Sequence, residues 1–194
     1  MLPIILASGS KNRRTIMDQL GISYQIQASN FDEHSIKTTN ISKRAQLIAL
    51  GKARQVAQKH QGLIISADTF TVFDNQIMEK PRNLSQAREM LRALSGHTAV
   101  SYTGFCFLNT QSGFVFNKTA PTKIVFRDYS DSELKQYLAK YPVTTWAAGY
   151  ALIDPYLSTL AAKLQGSLVG LTHGLPTEWL IPLLEKEGYQ ISLK

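Results

Sequence analysis

A stripe of small side chains limits what this chain can become. Ala45, Ala49, Ala53, Val56 and Ala57 recur at helical spacing within Ser42–His60, which predicts a helix there with one narrow small-residue face. Such a face lets a helix lie close against a sheet. Short apolar runs suited to buried strands stand on either side of it, Pro3–Ala7 before and Leu63–Ser66 after. Lys52 lies on the border of the stripe, so its stem can be buried while its ammonium reaches past the helix into a cleft.

The remaining pattern extends this alternation. Asn12–Leu20 reads as a helix ended by Gly21, Ile22–Gln27 as a strand, and Asn30–Asn40 as a polar loop. Phe70–Phe73 predicts a second short strand after Leu63–Ser66, turning at Asp74-Asn75 into Gln76–Met78. Ser85–Leu94 reads as a helix with Ser85 as its N-cap. Val100–Leu108 and Phe114–Phe126 form a long aromatic and β-branched antiparallel pair. Ser130-Asp-Ser-Glu133 has capping-box spacing, so a helix begins there and stops before Pro142. Pro176–Lys186 is a final helix, strained near Pro182. Strands alternate with helices early and pair directly in the middle, which predicts an α/β fold with a mixed sheet. No repeat or Ser/Gly-rich linker divides residues 1–194, so one domain is expected.

Composition narrows the class. With 44% hydrophobic and 18% charged residues the chain is globular rather than disordered. No apolar run reaches membrane-span length, and MLPIILASGSKNRR places its apolar run before its charges, the reverse of a signal peptide. The single cysteine, Cys106, fits a reducing, cytoplasmic setting. The net charge is +7, and the first 60 residues hold nine Lys/Arg against three acids, the rest twelve against eleven. A basic first third attracts phosphates, on a nucleotide or on nucleic acid.

Three constellations could carry chemistry. Ser8-Gly9-Ser10-Lys11-Asn12-Arg13-Arg14 stands between a strand and a helix, where backbone N–H groups and the positive helix end meet an anion. Arginine adds bidentate phosphate binding; capping serines with exposed arginines are the plainer alternative. Asp68 follows the Leu63–Ser66 strand, where a carboxylate can enter the ligand crevice of an α/β sheet. It could deprotonate water, bind Mg²⁺ or cap a turn, and Lys80 could return across the hairpin towards it. Asp32-Glu33 could hold a divalent cation beside phosphates or merely offset local positive charge. The four histidines show no metal-ligand spacing.

Together these elements resemble the Maf family of nucleotide pyrophosphatases. The resemblance runs from ILASGSKNRR through Leu50-Gly-Lys-Ala53, Ser66-Ala-Asp-Thr69, Lys80-Pro81, Leu94-Ser-Gly96, Tyr102-Thr-Gly104, Phe126-Arg127, Ala148-Gly-Tyr150 and Gly174-Leu-Pro176. It implies an elongated mixed sheet flanked by helices, of the Maf/ITPase type, in two lobes with a central nucleotide cleft. It implies hydrolysis of a nucleoside triphosphate, pyrimidine or modified, to its monophosphate and pyrophosphate with Mg²⁺ or Mn²⁺. Carried over residue by residue, Asp68 matches the general base and Lys52 and Lys80 the groups on the leaving pyrophosphate. Ser8, Ser10, Arg13 and Arg14 match phosphate contacts, and Glu33, with Asp68, the metal side. A cytoplasmic homodimer is implied; a nucleic-acid partner is not.

The family's base-selecting positions read Asn12, Thr69 and Ile153 here. One subfamily, linked to dTTP and UTP, resembles Arg, Thr and Gln at these places; another, linked to 7-methyl-GTP, UTP and CTP, resembles Trp, Gln and Glu. Only Thr69 agrees with either. Isoleucine has no donor or acceptor, which leaves shape, and stacking on Tyr150, to discriminate bases. With the register shifted by one, Asp154 would take the polar role. These departures also motivate an alternative, a nucleotide-binding regulatory homologue with weak or lost catalysis.

Overall fold

The computed structural model describes residues 1–153 and 158–191. Among them the strands are β1 Ile4–Leu6, β2 Gln25–Ile26, β3 Leu63–Phe73, β4 Gln76–Met78, β5 Thr98–Asn109, β6 Val115–Phe126 and β7 Ala161–Gln165. The helices are α1 Lys11–Gln19, α2 Ile41–Ala57, α3 Leu84–Leu94, α4 Asp131–Lys140, α5 Leu168–His173 and α6 Thr177–Lys186. The strands form one mixed sheet in the order β2-β1-β3-β5-β6-β7, with β4 antiparallel on β3. β1 pairs parallel with β2 and β3. Bonds from Asn109 N–H to Phe114 O and from Phe126 N–H to His97 O bracket the β5–β6 hairpin at its two ends.

The chain divides into two compact units, residues 1–69, 102–120 and 169–194 in the first and 70–101 and 121–168 in the second. In the first, strand alternation sorts the core onto both sheet faces. Ile4, Leu6, Leu63, Ile65, Phe105 and Phe107 join Ile16 and Met17 of α1 and Leu180, Leu183 and Leu184 of α6. Ile5, Ala7, Ile64, Cys106 and Leu108 face Ala49, Ala53 and Val56, the small stripe of α2. In the second unit α3 packs against α4 and against the two short turns Val143–Thr145 and Ala147–Gly149. Leu91, Leu94, Phe126, Leu134 and Tyr137 are buried there.

Several sequence expectations change. Leu63–Ser66 and Phe70–Phe73 are one strand: Ala67, Asp68 and Thr69 continue β3. Asp68, for which capping a turn was one reading, is extended within β3, and β3 runs on after β1 has ended: their last register pair is Leu6 with Ile65. Asp68 therefore stands beyond the carboxyl end of a parallel neighbour. Asn83, not Ser85, caps α3, accepting from Gln86 N–H. The strand expected over Ile22–Gln27 shrinks to Gln25–Ile26. β7 and α5 had no sequence signal. α6 continues through Pro182, which removes one backbone donor from the helix, while buried Leu180, Leu183 and Leu184 hold it on the core. The capping box on α4 forms with both of its bonds.

Candidate active site

The first unit gathers most of the singled-out residues around the end of β1. Ser8 follows that strand and is buried. Its Oγ accepts from Ser10 N–H at 3.2 Å and from Arg13 Nη1 at 2.9 Å. Arg13 Nε donates to Gly174 O at 3.0 Å, which fixes the guanidinium plane from a second side. Gly174 has a φ of 71°, and a Cβ there would lie 3.1 Å from Arg13 Nε and Nη2 and from Thr69 Oγ1. Glycine thus keeps open the small space between a guanidinium and a hydroxyl.

Burial lowers the pKa of Arg13 from its ordinary value, and the carboxylates of Asp68 and Glu33 pull it back up. An arginine is cationic throughout the working pH range regardless. Ser10 occupies the N-cap position of α1, yet its side chain makes no capping bond and the first turn holds no acid. The first turn instead carries Lys11, Asn12 and Arg13. Basic side chains at the positive end of a helix are unfavourable unless an anion joins them. Arg14 lies one residue on and contributes a buried Nε with no hydrogen-bond partner among the described residues.

Lys52 connects the two acidic candidates. Its Nζ is 2.8 Å from Asp68 Oδ1 and 2.6 Å from Glu33 Oε1, and both Lys52 and Asp68 are nearly enclosed. Among the described residues no hydrogen bond reaches Asp68 Oδ2, which leaves it to accept from water. Asp32 and Glu33 part company. The Asp32 carboxylate caps the short turn Glu33–Ser35 through His34 N–H, while Glu33 turns to Lys52.

The loop that delivers Glu33 is pinned to α2. Ser29 Oγ donates to Gln55 Oε1 and accepts from Phe31 N–H, and Arg44 Nη1 donates to Ile36 O. The Phe31 ring lies over Gly51, the residue before Lys52: a Cβ on Gly51 would fall 2.4–2.7 Å from three ring atoms. Sequence reasoning missed Phe31, Gly51, Thr103 and Gly174 as site-forming residues. Gly51, Thr103 and Gly174 stood inside motifs of the resemblance, the signal that could have found them.

Two oxygen donors drawn together by one ammonium suit a hard divalent ion that takes one or two carboxylates and fills its shell with phosphate oxygens and water. Among the described residues no three His, Cys, Asp or Glu side chains cluster as a metal site, so Glu33 and Asp68 alone make no complete protein cage.

Lys80 and Ile153 belong to the second unit, Lys80 exposed after β4 and Ile153 42% exposed. Asp154 lies outside the described residues. Tyr150 is a correction. Its ring is 6% exposed, edge-on to Phe126 at 5.1 Å, and its hydroxyl hydrogen-bonds Thr71 at 3.0 Å. Burial pushes its pKa well above the ordinary 10.0. A ring so enclosed serves the core and offers no face to a base.

The model of the family described as Maf-like protein matches residues 3–187. The chain belongs to the Maf-like protein family. This Maf-like chain is 34% identical over 206 residues to a dTTP/UTP pyrophosphatase of Treponema denticola, covering 98% of this chain and 100% of the relative. A nucleoside triphosphate pyrophosphatase of Synechococcus is 31% identical over 192 residues, covering 98% and 96%. A 7-methyl-GTP pyrophosphatase of Neisseria gonorrhoeae is 29% identical over 191 residues, covering 98% and 97%. Relatives named for either activity match the Maf-like chain along nearly its full length. Among its described residues no helix is long and apolar enough to cross a membrane.

Proposed function

We propose that this chain hydrolyses a nucleoside triphosphate to the monophosphate and pyrophosphate. The observation that carries the reading is the Lys52–Asp68 pair, with a free carboxylate oxygen, in the same unit as the Ser8–Arg13 pair at an uncapped helix end. The names of the relatives point the same way.

In the proposed reaction the triphosphate lies against the first turn of α1, its oxygens taking donors from Ser8, Ser10, Arg13 and Arg14. Water near the α-phosphorus loses its proton to Asp68 Oδ2 as its oxygen bonds to phosphorus. The bond from the α-phosphorus to the bridging oxygen breaks, and pyrophosphate leaves with that electron pair. Lys52 holds Asp68 in place and meets the charge developing on the leaving group. Lys80 is assigned to that group by the family resemblance. A divalent cation, Mg²⁺ or Mn²⁺, would supply charge neutralisation on the phosphate oxygens, with Glu33 and Asp68 as the residues to hold it.

Asn12, Thr69 and Ile153 are the proposed base-selecting residues. Without a polar group at position 153, discrimination there rests on shape, which is worth roughly 10–200-fold. A cytoplasmic homodimer completes the reading.

The deciding experiment incubates the protein with UTP, dTTP, CTP and 7-methyl-GTP, with Mg²⁺ and then Mn²⁺, and detects pyrophosphate. Stoichiometric monophosphate and pyrophosphate are expected. Release of orthophosphate alone, or of nothing while nucleotide still binds, would overturn it; the second outcome fits a regulatory homologue.

A further inference from the structure

Thr103 sits in β5, 1% exposed, and its Oγ1 lies 2.8 Å from Gly170 O and 3.2 Å from Thr69 Oγ1. A carbonyl oxygen has no proton, so the short contact to Gly170 consumes the single hydroxyl proton of Thr103. At the longer contact Thr103 can then only accept. The proton between the two hydroxyls comes from Thr69. A partly buried threonine hydroxyl that would otherwise rotate between donating and accepting is thereby left with lone pairs alone for anything that approaches it. Thr69 Oγ1 borders the same small space above Gly174 as the guanidinium of Arg13, so what approaches is a ligand of this site.

We propose that Thr103 is a specificity-determining positioning residue: it fixes Thr69 as a pure hydrogen-bond acceptor, so the substrate group seated there must be a donor. A phosphate or carbonyl oxygen would meet lone pair against lone pair. The group is a base N–H or a sugar hydroxyl. This rests on the nucleotide pyrophosphatase reading and adds to it the polarity of one contact.

The test compares wild type, Thr103→Val and Thr103→Ser in kcat/KM for UTP, CTP and dUTP. Uracil carries N–H at the ring position where cytosine has a bare nitrogen, so the UTP/CTP ratio reads a base contact. The UTP/dUTP ratio reads the 2′-hydroxyl. Gly170 O keeps a bond from Gly174 N–H in the valine variant, and valine suits a buried strand. Once Thr69 is free to rotate, one of the two ratios moves towards unity by about three- to tenfold, the size of one hydrogen bond. The other stays put, and Thr103→Ser restores the wild-type values. Ratios within twofold of wild type in Thr103→Val, or shifted equally in Thr103→Ser, overturn the proposal. Should the valine variant fail to fold, Thr103→Ala takes its place with the same outcomes. Should wild type release no pyrophosphate, the functional reading fails instead; equilibrium binding of UMP, CMP and dUMP to the same variants then gives the ratios without turnover, judged by the same limits.

Discussion

Lys52 Nζ and Glu33 Oε1 stand 2.6 Å apart, a shorter contact than the 2.8 Å from the same ammonium to Asp68. Two carboxylates thus share one cation, and the cost of losing a member depends on which one goes. Without Asp68 or Glu33, Lys52 keeps a partner. Without Lys52, two carboxylates face each other, one of them nearly enclosed.

Lys52→Met should therefore lower stability by about 2 kcal/mol or more, less than the roughly 3–5 typical of breaking a fully buried pair because Glu33 is half exposed. Asp68→Asn and Glu33→Gln should each cost about 1 kcal/mol or less. At this chain length the difference is several degrees in Tm. Thermal melts of the three variants without nucleotide check it; a Lys52→Met protein as stable as Asp68→Asn would show that the two acids do not depend on their shared cation.

Activity should separate the two acids that stability does not. Asp68→Asn keeps the shape of the side chain and removes its ability to take a proton, so kcat should fall by about 10²–10⁴ while nucleotide binding persists. Glu33→Gln, which leaves the proton acceptor Asp68 in place, should lose less. Pyrophosphate release measured under saturating triphosphate separates them. More than about a tenth of wild-type turnover in Asp68→Asn would remove it from the role of general base.

What could be read from the chain follows physical range. The small stripe of α2, the capping box of Ser130 and Glu133 and the β5–β6 hairpin are local patterns, and each appears where periodicity or spacing put it. The break expected between Ser66 and Phe70 is absent because Asp68 and Thr69 are polar residues inside a strand, a departure from local pattern of the kind that functional sites produce. Ser8, Arg13, Lys52 and Asp68 could be named singly because each sits beside an element end or a helix border. Their partners could not. Contacts such as Lys52 with Glu33, Phe31 over Gly51 and Arg13 with Gly174 O are made between distant segments, and nothing local encodes them. β7, AAKLQ, lacks both alternation and bulk, so its pairing with β6 is a property of the sheet.

Acid should expose the Glu133 carboxylate of the second unit. Glu133 accepts from Ser130 N–H, Arg127 Nη2 and Ser130 Oγ, and these bonds, the backbone one foremost, take its pKa from 4.5 to about 2. The unfolded chain binds the proton near 4.5 and the folded chain only near 2. Its contribution is complete above pH 4.5 and is lost as pH falls towards 2. Urea unfolding between pH 2 and 6 should show a steeper acid limb for wild type than for Glu133→Gln. Parallel limbs would mean that the capping box does not govern that range.

Gly51 offers the sharpest test of how Glu33 is delivered. In the interior of an ordinary helix, glycine to alanine stabilises by about 1 kcal/mol. Here the added methyl would lie 2.4–2.7 Å from three atoms of the Phe31 ring, and overpacking of that kind costs about 1–3 kcal/mol. The cheapest relief is for the Phe31 loop to move off α2, and Glu33 rides on the same loop two residues on. Gly51→Ala should then lower kcat about tenfold with little change in KM, since the Ser8–Arg13 contacts are untouched. Replacing Phe31 by Leu in the Gly51→Ala background makes room for the methyl and should return most of the rate. Steady-state kinetics of the single and double variants, read beside their melting temperatures, decide it. A Gly51→Ala protein that melts higher and turns over as fast as wild type would mean that Phe31 yields in place and that the loop needs no seat on Gly51 to bring Glu33 to Lys52.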